Sequence, residues 1–411
     1  MNRKVLVTIL SLYSLFINAQ SDSTKSWLEL EAVYSALPWF NAHGGLETGF
    51  VYMDNADVTA KINFDQLLNL KDNFSLFVYG LGNHGDRATD LMGDFQVASN
   101  IEAVKAWRVF ELWIQNNFLD DRLSVLVGLY DLNSEFDVLR PGTLFINSSF
   151  GIGAEYAQSG LNGPSIFPIS SLGIRMATFI GDRTRVRLAI LDAVSGDPEN
   201  LKSNEIHLSR KEGALISGEV SIYTDASFSE NNLNIERSYV TRRRKVGREH
   251  EVYKNDKVNI GGWYYTSEFE AINDQSSSHG NYGVYIGAQK YMPIGEKGDF
   301  ASLFGRYGVA SSRFNRFGSA LSGGVVVSNP ITTMDDNFGL AFSSGINGAE
   351  FQEIQGSSET TETVIEFTYS LPLASWFLLQ PDVQYVINPS TQQELMNPLS
   401  FAMLVQISFK Y

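Results

Sequence analysis

The last eleven residues, Phe401 to Tyr411, are apolar at every odd position: Phe401, Met403, Val405, Ile407, Phe409 and Tyr411. Between them Ala402, Leu404, Gln406, Ser408 and Lys410 grow steadily more polar, so the segment reads as a strand with one greasy face and one wet face. The same period of two recurs along the chain. It predicts strands at 44–53, 58–65, 74–81, 106–115, 123–130, 173–180, 183–191, 214–223, 258–269, 282–291, 300–309, 321–328, 337–345, 362–370, 377–387 and 401–411. That makes an all-β chain of about sixteen strands, with no run of about 18 apolar residues that could form a membrane-spanning helix.

Connection lengths support a single closed sheet. Asn116 to Arg122, Gly181 to Asp182, Met292 to Asp299 and Leu371 to Trp376 are short, whereas Gly82 to Lys105, Asp131 to Leu172 and Asp192 to Gly213 are long. Alternation of short turns and long loops is the pattern of a transmembrane antiparallel β-barrel whose turns lie on one side and loops on the other. The exception is Thr224 to Lys257, a long interval on the short-turn side that carries Arg242, Arg243, Arg244, Lys245 and Arg248, and is either a lost hairpin or a basic insertion. An aromatic terminus such as Tyr411 resembles the signal by which the outer-membrane assembly machinery recognises its clients.

The amino terminus fits that destination. Arg3 and Lys4 precede an apolar stretch from Val5 to Ile17, broken by Thr8, Ser11 and Ser14, then Asn18, Ala19 and Gln20. This is the layout of a secretory signal peptide, residues 1–19, with cleavage expected after Ala19 and the barrel in residues 20–411. There is no cysteine, so neither a lipid anchor nor a disulfide is available. A net charge of −15 argues against nucleic acid as a partner, because backbone phosphates are bound by clustered Lys and Arg.

The strands near 173–191 carry the candidate chemistry. Ile174, Met176, Thr178 and Ile180 alternate with Arg175, Ala177 and Phe179, and Val186, Leu188 and Ile190 alternate with Arg185, Arg187 and Ala189. Continuous outer faces require residue 180 to pair with residue 184, leaving a three-residue connection, Gly181 to Arg183. Arg175, Arg185 and Arg187 then face the lumen, since arginine against lipid at the midplane costs roughly 2 to 4 kcal/mol. Glu111 and Gln115 should also face inward, with Phe110, Leu112 and Ile114 outside. A carboxylate opposite the arginines sets up either a transverse field or an ion pair bracing the wall.

The loop Asp131 to Leu172 holds Gly142, Gly151, Gly153, Gly160, Gly163, Pro141, Pro164 and Pro168, and is too long for a passive connection. Asp131, Asn133, Glu135 and Asp137 have the every-second-residue oxygens of a calcium loop, but Phe136 and Gly142 occupy the positions that need Gly and Glu. A hydrogen-bonding shelf at the loop base fits better, and with Asn147 these residues complete the candidate pore lining, with no metal or cofactor expected. His43, His84, His207, His250 and His279 are scattered and no Gly-x-Ser-x-Gly elbow occurs, so enzyme readings such as a barrel hydrolase have little support.

Several stretches resemble one family. Gly93-Asp94-Phe95-Gln96-Val97-Ala98-Ser99-Asn100-Ile101-Glu102-Ala103, Glu111-Leu112-Trp113-Ile114-Gln115, and Gly128-Leu129-Tyr130-Asp131-Leu132-Asn133-Ser134-Glu135-Phe136 are similar to carbohydrate-selective porin B proteins of Gram-negative outer membranes. So are Phe145 to Gly151, Gly163-Pro164, Phe167-Pro168, Leu172 to Arg175, Asp336 to Leu340, and Leu379 to Pro389. Thr332 to Asp336 departs by lacking an arginine, and the basic 235–257 interval has no counterpart. The resemblance implies a sixteen-stranded porin in the outer membrane, touching lipid and lipopolysaccharide, whose long third external loop folds into the lumen and which passes small neutral sugars. The oligomeric state stays open, and a general or non-sugar diffusion porin is the main alternative.

Overall fold

The computed structural model describes residues 27–68, 74–202, 206, 212–224, 256–274, 276–294, 299–332 and 334–410. Sixteen strands form one closed antiparallel barrel. They are β1 (Leu28–His43), β2 (Gly49–Asn63), β3 (Phe74–Gly85), β4 (Ala106–Phe118), β5 (Leu123–Tyr130), β6 (Ser171–Ile180), β7 (Thr184–Asp192) and β8 (Ala214–Tyr223). The second half comprises β9 (Lys257–Glu270), β10 (Ser277–Ile294), β11 (Asp299–Ala310), β12 (Phe317–Ser328), β13 (Asn337–Asn347), β14 (Thr361–Ala374), β15 (Phe377–Ile387) and β16 (Leu399–Lys410). Closure is made by β1 on β16, with Ala32 opposite Phe409 and Phe40 opposite Phe401. Closing the sheet removes both free edges, which backbone amides in hydrocarbon require.

Two sequence expectations about the first strands need correction. The segments 44–53 and 58–65 are one strand, β2, and β1 precedes them. Polar Asp54, Asn55 and Asp57 look like a break, yet each has partners within the sheet. Asn55 donates to Asp57 at 2.7 Å, Tyr79 donates to Asp57 at 2.5 Å, and outward-facing Asp54 meets the Tyr34 hydroxyl at 3.0 Å and His84 Nδ1 at 2.9 Å. β1 shows no alternation because both of its faces are apolar. Val33, Leu37 and Trp39 point inward and are buried, Leu37 and Trp39 against Ala88, Met92, Ala98 and Ile101 of the connection 86–105. Pro38 interrupts the pairing with β16, where no partners bridge Ala36 to Trp39.

Elsewhere the register follows from alternation. Ile180 pairs with Thr184, leaving Gly181 to Arg183 as the turn. β8 pairs directly with β9, Tyr223 opposite Lys257, so no hairpin of the sheet is missing between them. Most of the basic 235–257 interval lies outside the described residues. On β16 Phe401, Met403 and Phe409 are exposed on the outer wall while Gln406 is buried inside; Tyr411 lies outside the described residues. A bulge in β4 alters one assignment: Tyr79 pairs with Glu111 and Gly80 with Val109, so consecutive Phe110 and Glu111 both point inward. Phe110 is therefore buried, not on the outer face where strict alternation puts it.

The connection 131–170 turns into the lumen and packs as a plug against the inner wall. Tyr156 stacks on Trp263, centroids 5.2 Å apart, and donates to Ser217 at 3.0 Å. Phe145 and Phe150 pack on Phe304 of β11. The barrel core is thus made between loop and wall.

Candidate functional site

Alternation aims four arginines inward from β6, β7 and β11, and the folded-in loop meets them with carboxylates. Glu135 is the hub of the first group. Its Oε2 lies 2.8 Å from Arg175 Nε and accepts the Tyr130 hydroxyl at 2.6 Å, while its Oε1 accepts Arg185 Nη2 at 3.1 Å. Arg187 Nη1 donates to the Glu135 carbonyl at 2.7 Å and to Glu219 of β8 at 2.6 Å. Glu219 also accepts the Tyr285 hydroxyl at 2.9 Å and the Asp137 amide at 2.8 Å.

Arg306 of β11 is the hub of the second group. It reaches Asp137 through Nε and Nη2, the latter at 2.7 Å, and Glu155 at 2.6 Å. Two glycines make room for it. A Cβ on Gly153 would sit 2.0 Å from the Arg306 guanidinium carbon, and one on Gly308 would sit 1.9 Å from Glu155 Oε1. All these groups are buried, Arg175 and Arg185 at 0% and 1% exposure, and the carboxylates of Glu135, Asp137, Glu155 and Glu219 together face the four arginines.

The opposite wall holds the loops by backbone amides. Glu366 of β14 accepts the amides of Ile146 and Asn147 at 2.6 and 2.9 Å. Glu362 accepts those of Phe95, Gln96 and Ser390, at 2.8, 2.9 and 2.5 Å. Gln380 and Gln384 donate to the carbonyls of Leu144 and Ala98. Nearby Asp94 is buried in its loop; burial first, then the charges of Glu362 and Glu102, push its carboxyl well above the ordinary range.

Between these two anchorages lies a cavity of about 310 Å³. Asp131 and Asn133 line it with Gln96, Asn100 and Gln158, beside the rings of Tyr79, Phe110 and Phe167. Asp131 caps the turn 132–134 by accepting the Asn133 amide at 2.9 Å, and Asn133 donates to the carbonyls of Phe136 and Gly151. Glu111 accepts the Asp131 amide and Trp113 Nε1, both at 3.1 Å.

The nine residues singled out in the sequence thus fall into four places. Arg175, Arg185, Arg187 and Glu135 come together at the base of the loop. Glu111, Asp131 and Asn133 adjoin the cavity. Gln115 binds Asn117 at 2.6 Å lower on β4, and Asn147 stands on the far wall, bound to Glu366 and Gln384. Sequence reasoning passed over Arg306, Glu155, Glu219, Glu362 and Glu366. A signal existed for Glu219, which sits between Ser217 and Ser221 on a face alternating with Gly218, Val220 and Ile222.

A closed sixteen-strand barrel with an apolar outer belt and a loop folded into a polar lumen defines an outer-membrane porin. Residues 47–409 match the carbohydrate-selective porin, OprB family, and the chain belongs to that family. Its fold is similar to that of Pseudomonas putida OprB at high pH, with TM-score 0.76 and 18% identity over 93% of this chain and 94% of that one. A Rhodopseudomonas blastica porin is similar at TM-score 0.51 and 10% identity, over 93% of this chain and all (100%) of that one. The outer-membrane channel DcaP of Acinetobacter baumannii is similar at TM-score 0.51 and 8% identity, over 95% and 100%. No curated protein matches the chain. The protein is a carbohydrate-selective porin of the Gram-negative outer membrane.

Proposed function

We propose that small neutral sugars cross passively through the cavity between the folded-in loops, and that its carboxylate and amide groups with neighbouring rings select them. The observation that carries this is the company of Asp131, Asn133, Gln96 and Asn100 with Tyr79, Phe110 and Phe167. Sugar hydroxyls need planar donors and acceptors, and the apolar faces of the ring need aromatic surface. Asp131 and Asn133 meet the solute, while Arg175, Arg185, Arg187, Glu135 and Glu111 hold the shelf on which they stand; Asn147 positions the loop on the far wall. The role is passage, with no catalytic step.

Liposome swelling with neutral, anionic and cationic solutes of matched size tests the reading. Neutral sugars should enter faster than non-sugar polyols of equal size, and replacing both Asp131 and Asn133 by Ala should erase that preference. Equal rates for all neutral solutes in the native protein favour a general diffusion porin instead.

Residues 1–19 serve as a signal peptide and the final strand as the element read by the assembly machinery, with lipid and lipopolysaccharide on the outer face. A mature protein that begins elsewhere than Gln20 counts against the first. Normal outer-membrane yield after removal of Tyr411 counts against the second.

A further inference from the structure

Among the described residues Arg108 differs from the other arginines on the lumenal wall. It is the third residue of β4 and alternates with outward Trp107 and Val109, so it points inward just below the rim that carries the long loops. Arg175, Arg185, Arg187 and Arg306 each lie within 3.1 Å of a carboxylate oxygen. Arg108 has none within ion-pair distance among the described residues. Its Nη1 donates to the Pro168 carbonyl at 3.3 Å and its Nη2 to the Leu201 carbonyl at 3.0 Å, while Nε has no acceptor. The residue is only 6% exposed.

Five N–H donors less the two in use leave three without an acceptor among the described residues. A buried cation held by carbonyl dipoles alone is an uncompensated charge, and it recruits a counter-charge where space allows. The space is there. Arg108 lines a cavity of about 260 Å³ closed by Val104, Asn162, Ile166, Phe167, Ile169 and Leu201. These walls are mainly apolar, which strengthens the attraction of the guanidinium for an anion. Glu102, on the adjoining cavity, is engaged by Arg87 at 3.3 Å and by the Thr89 amide at 3.1 Å. The two cavities share Ala157, Ile166, Phe167 and Pro168, so a solute held at Arg108 stands at the entrance of the larger one.

We propose that this cavity binds the carboxylate of an acidic monosaccharide, a hexuronate, at the outer entry of the pore. The guanidinium fork takes the carboxylate, and the Phe167 ring faces the apolar side of the sugar. This rests on the reading of the lumen as a sugar path, and extends it to charged sugars that a net-acidic chain would otherwise repel.

Block of ion current through single purified channels, titrated with glucuronate, its methyl ester and glucose, tests the proposal. Glucuronate should block the native channel at about one tenth of the concentration needed for glucose, the worth of one charge-assisted hydrogen bond. The ester, which has the same shape without the charge, should fall to the glucose value. In Arg108→Gln the glucuronate and glucose constants should converge, and Arg108→Lys should retain part of the difference. Equal block by glucuronate and its ester in the native channel overturns the proposal without any variant, so a failure of Arg108→Gln to fold does not shield it. If glucose blocks and glucuronate does not, the sugar path stands and the acid site falls. If neither interacts, the sugar path itself is in question and the acid site falls with it.

Discussion

The two walls of this barrel hold the folded-in loops by different chemistries. On the β6–β8 and β11 side the ion pairs run side chain to side chain, Glu135 with Arg175 and Arg185, Asp137 and Glu155 with Arg306, and Arg187 and Glu219 add bonds to the loop backbone, at the Glu135 carbonyl and the Asp137 amide. On the β14–β15 side carboxylates and amides of the wall grip the backbone of the loop, Glu366 at residues 146–147 and Glu362 at residues 95–96. The first arrangement depends on which residues the loop carries. The second depends only on where its backbone runs, since any residue except proline offers an N–H. The charged wall therefore fixes the register of the loop, and the amide-binding wall fixes its path.

The difference is broken most directly at Glu135. Glu135→Ala takes the Glu135 carboxylate away from buried Arg175 and Arg185, and removing one partner of a buried ion pair costs about 3–5 kcal/mol. The base of the loop should leave the wall. Single-channel conductance should rise and oligosaccharides too large for the native pore should enter liposomes, with a lower melting temperature in detergent. Unchanged conductance and melting would show that the backbone-gripping wall alone is sufficient to hold the plug.

The charged wall was also the more legible one. Arg175, Arg185 and Arg187 sit on clean alternations, and the Ile180–Thr184 register follows from the continuity of two aliphatic faces. Glu135 was visible only as one of four spaced oxygens; that its partners would be arginines some forty to fifty residues on is a tertiary fact. Glu362 and Glu366 alternate with Thr363, Ile365 and Phe367 just as regularly, but their partners are backbone amides, which leave no mark in a sequence. The folded-in loops also hid β1. By packing on Leu37 and Trp39 they let a lumenal face be apolar, and the period of two vanished there. The count of sixteen stood only because dividing β2 compensated for that loss.

Glu366→Gln keeps the shape and one acceptor oxygen but loses the second, so only one of the amides of Ile146 and Asn147 keeps its acceptor. A buried amide left without its acceptor costs about 1–3 kcal/mol, and the bond to the retained oxygen survives. Melting should fall by less than for Glu135→Ala, and conductance should change only slightly, because residues 131–140 remain tied to the arginines. A conductance increase equal to that of Glu135→Ala would erase the distinction between the walls.

The smallest effect is expected where a carboxylate grips backbone outside the lumen. In the turn 329–336 Asp336 accepts the Thr332 hydroxyl at 2.7 Å, the Tyr369 hydroxyl at 2.7 Å, and the amides of Ile331 and Thr332, both at 3.2 Å. Burial raises its carboxyl, but the bonds from Thr332, Tyr369 and the backbone outweigh it and hold the group below the ordinary carboxylate range. A carboxyl depressed in the folded state stabilises fully above its unfolded value and loses that contribution as pH falls through the folded one, here from about pH 4 downward. Asp336→Asn should therefore cost about 1 kcal/mol near pH 7, and the gap to the native protein should close toward pH ~2. Conductance near pH ~7 should be unchanged, since the turn lies on the short-turn side of the barrel, between β12 and β13. Thermal melting at the two pH values decides it: a gap that stays constant means that the shape of the side chain, not its charge, braces the turn.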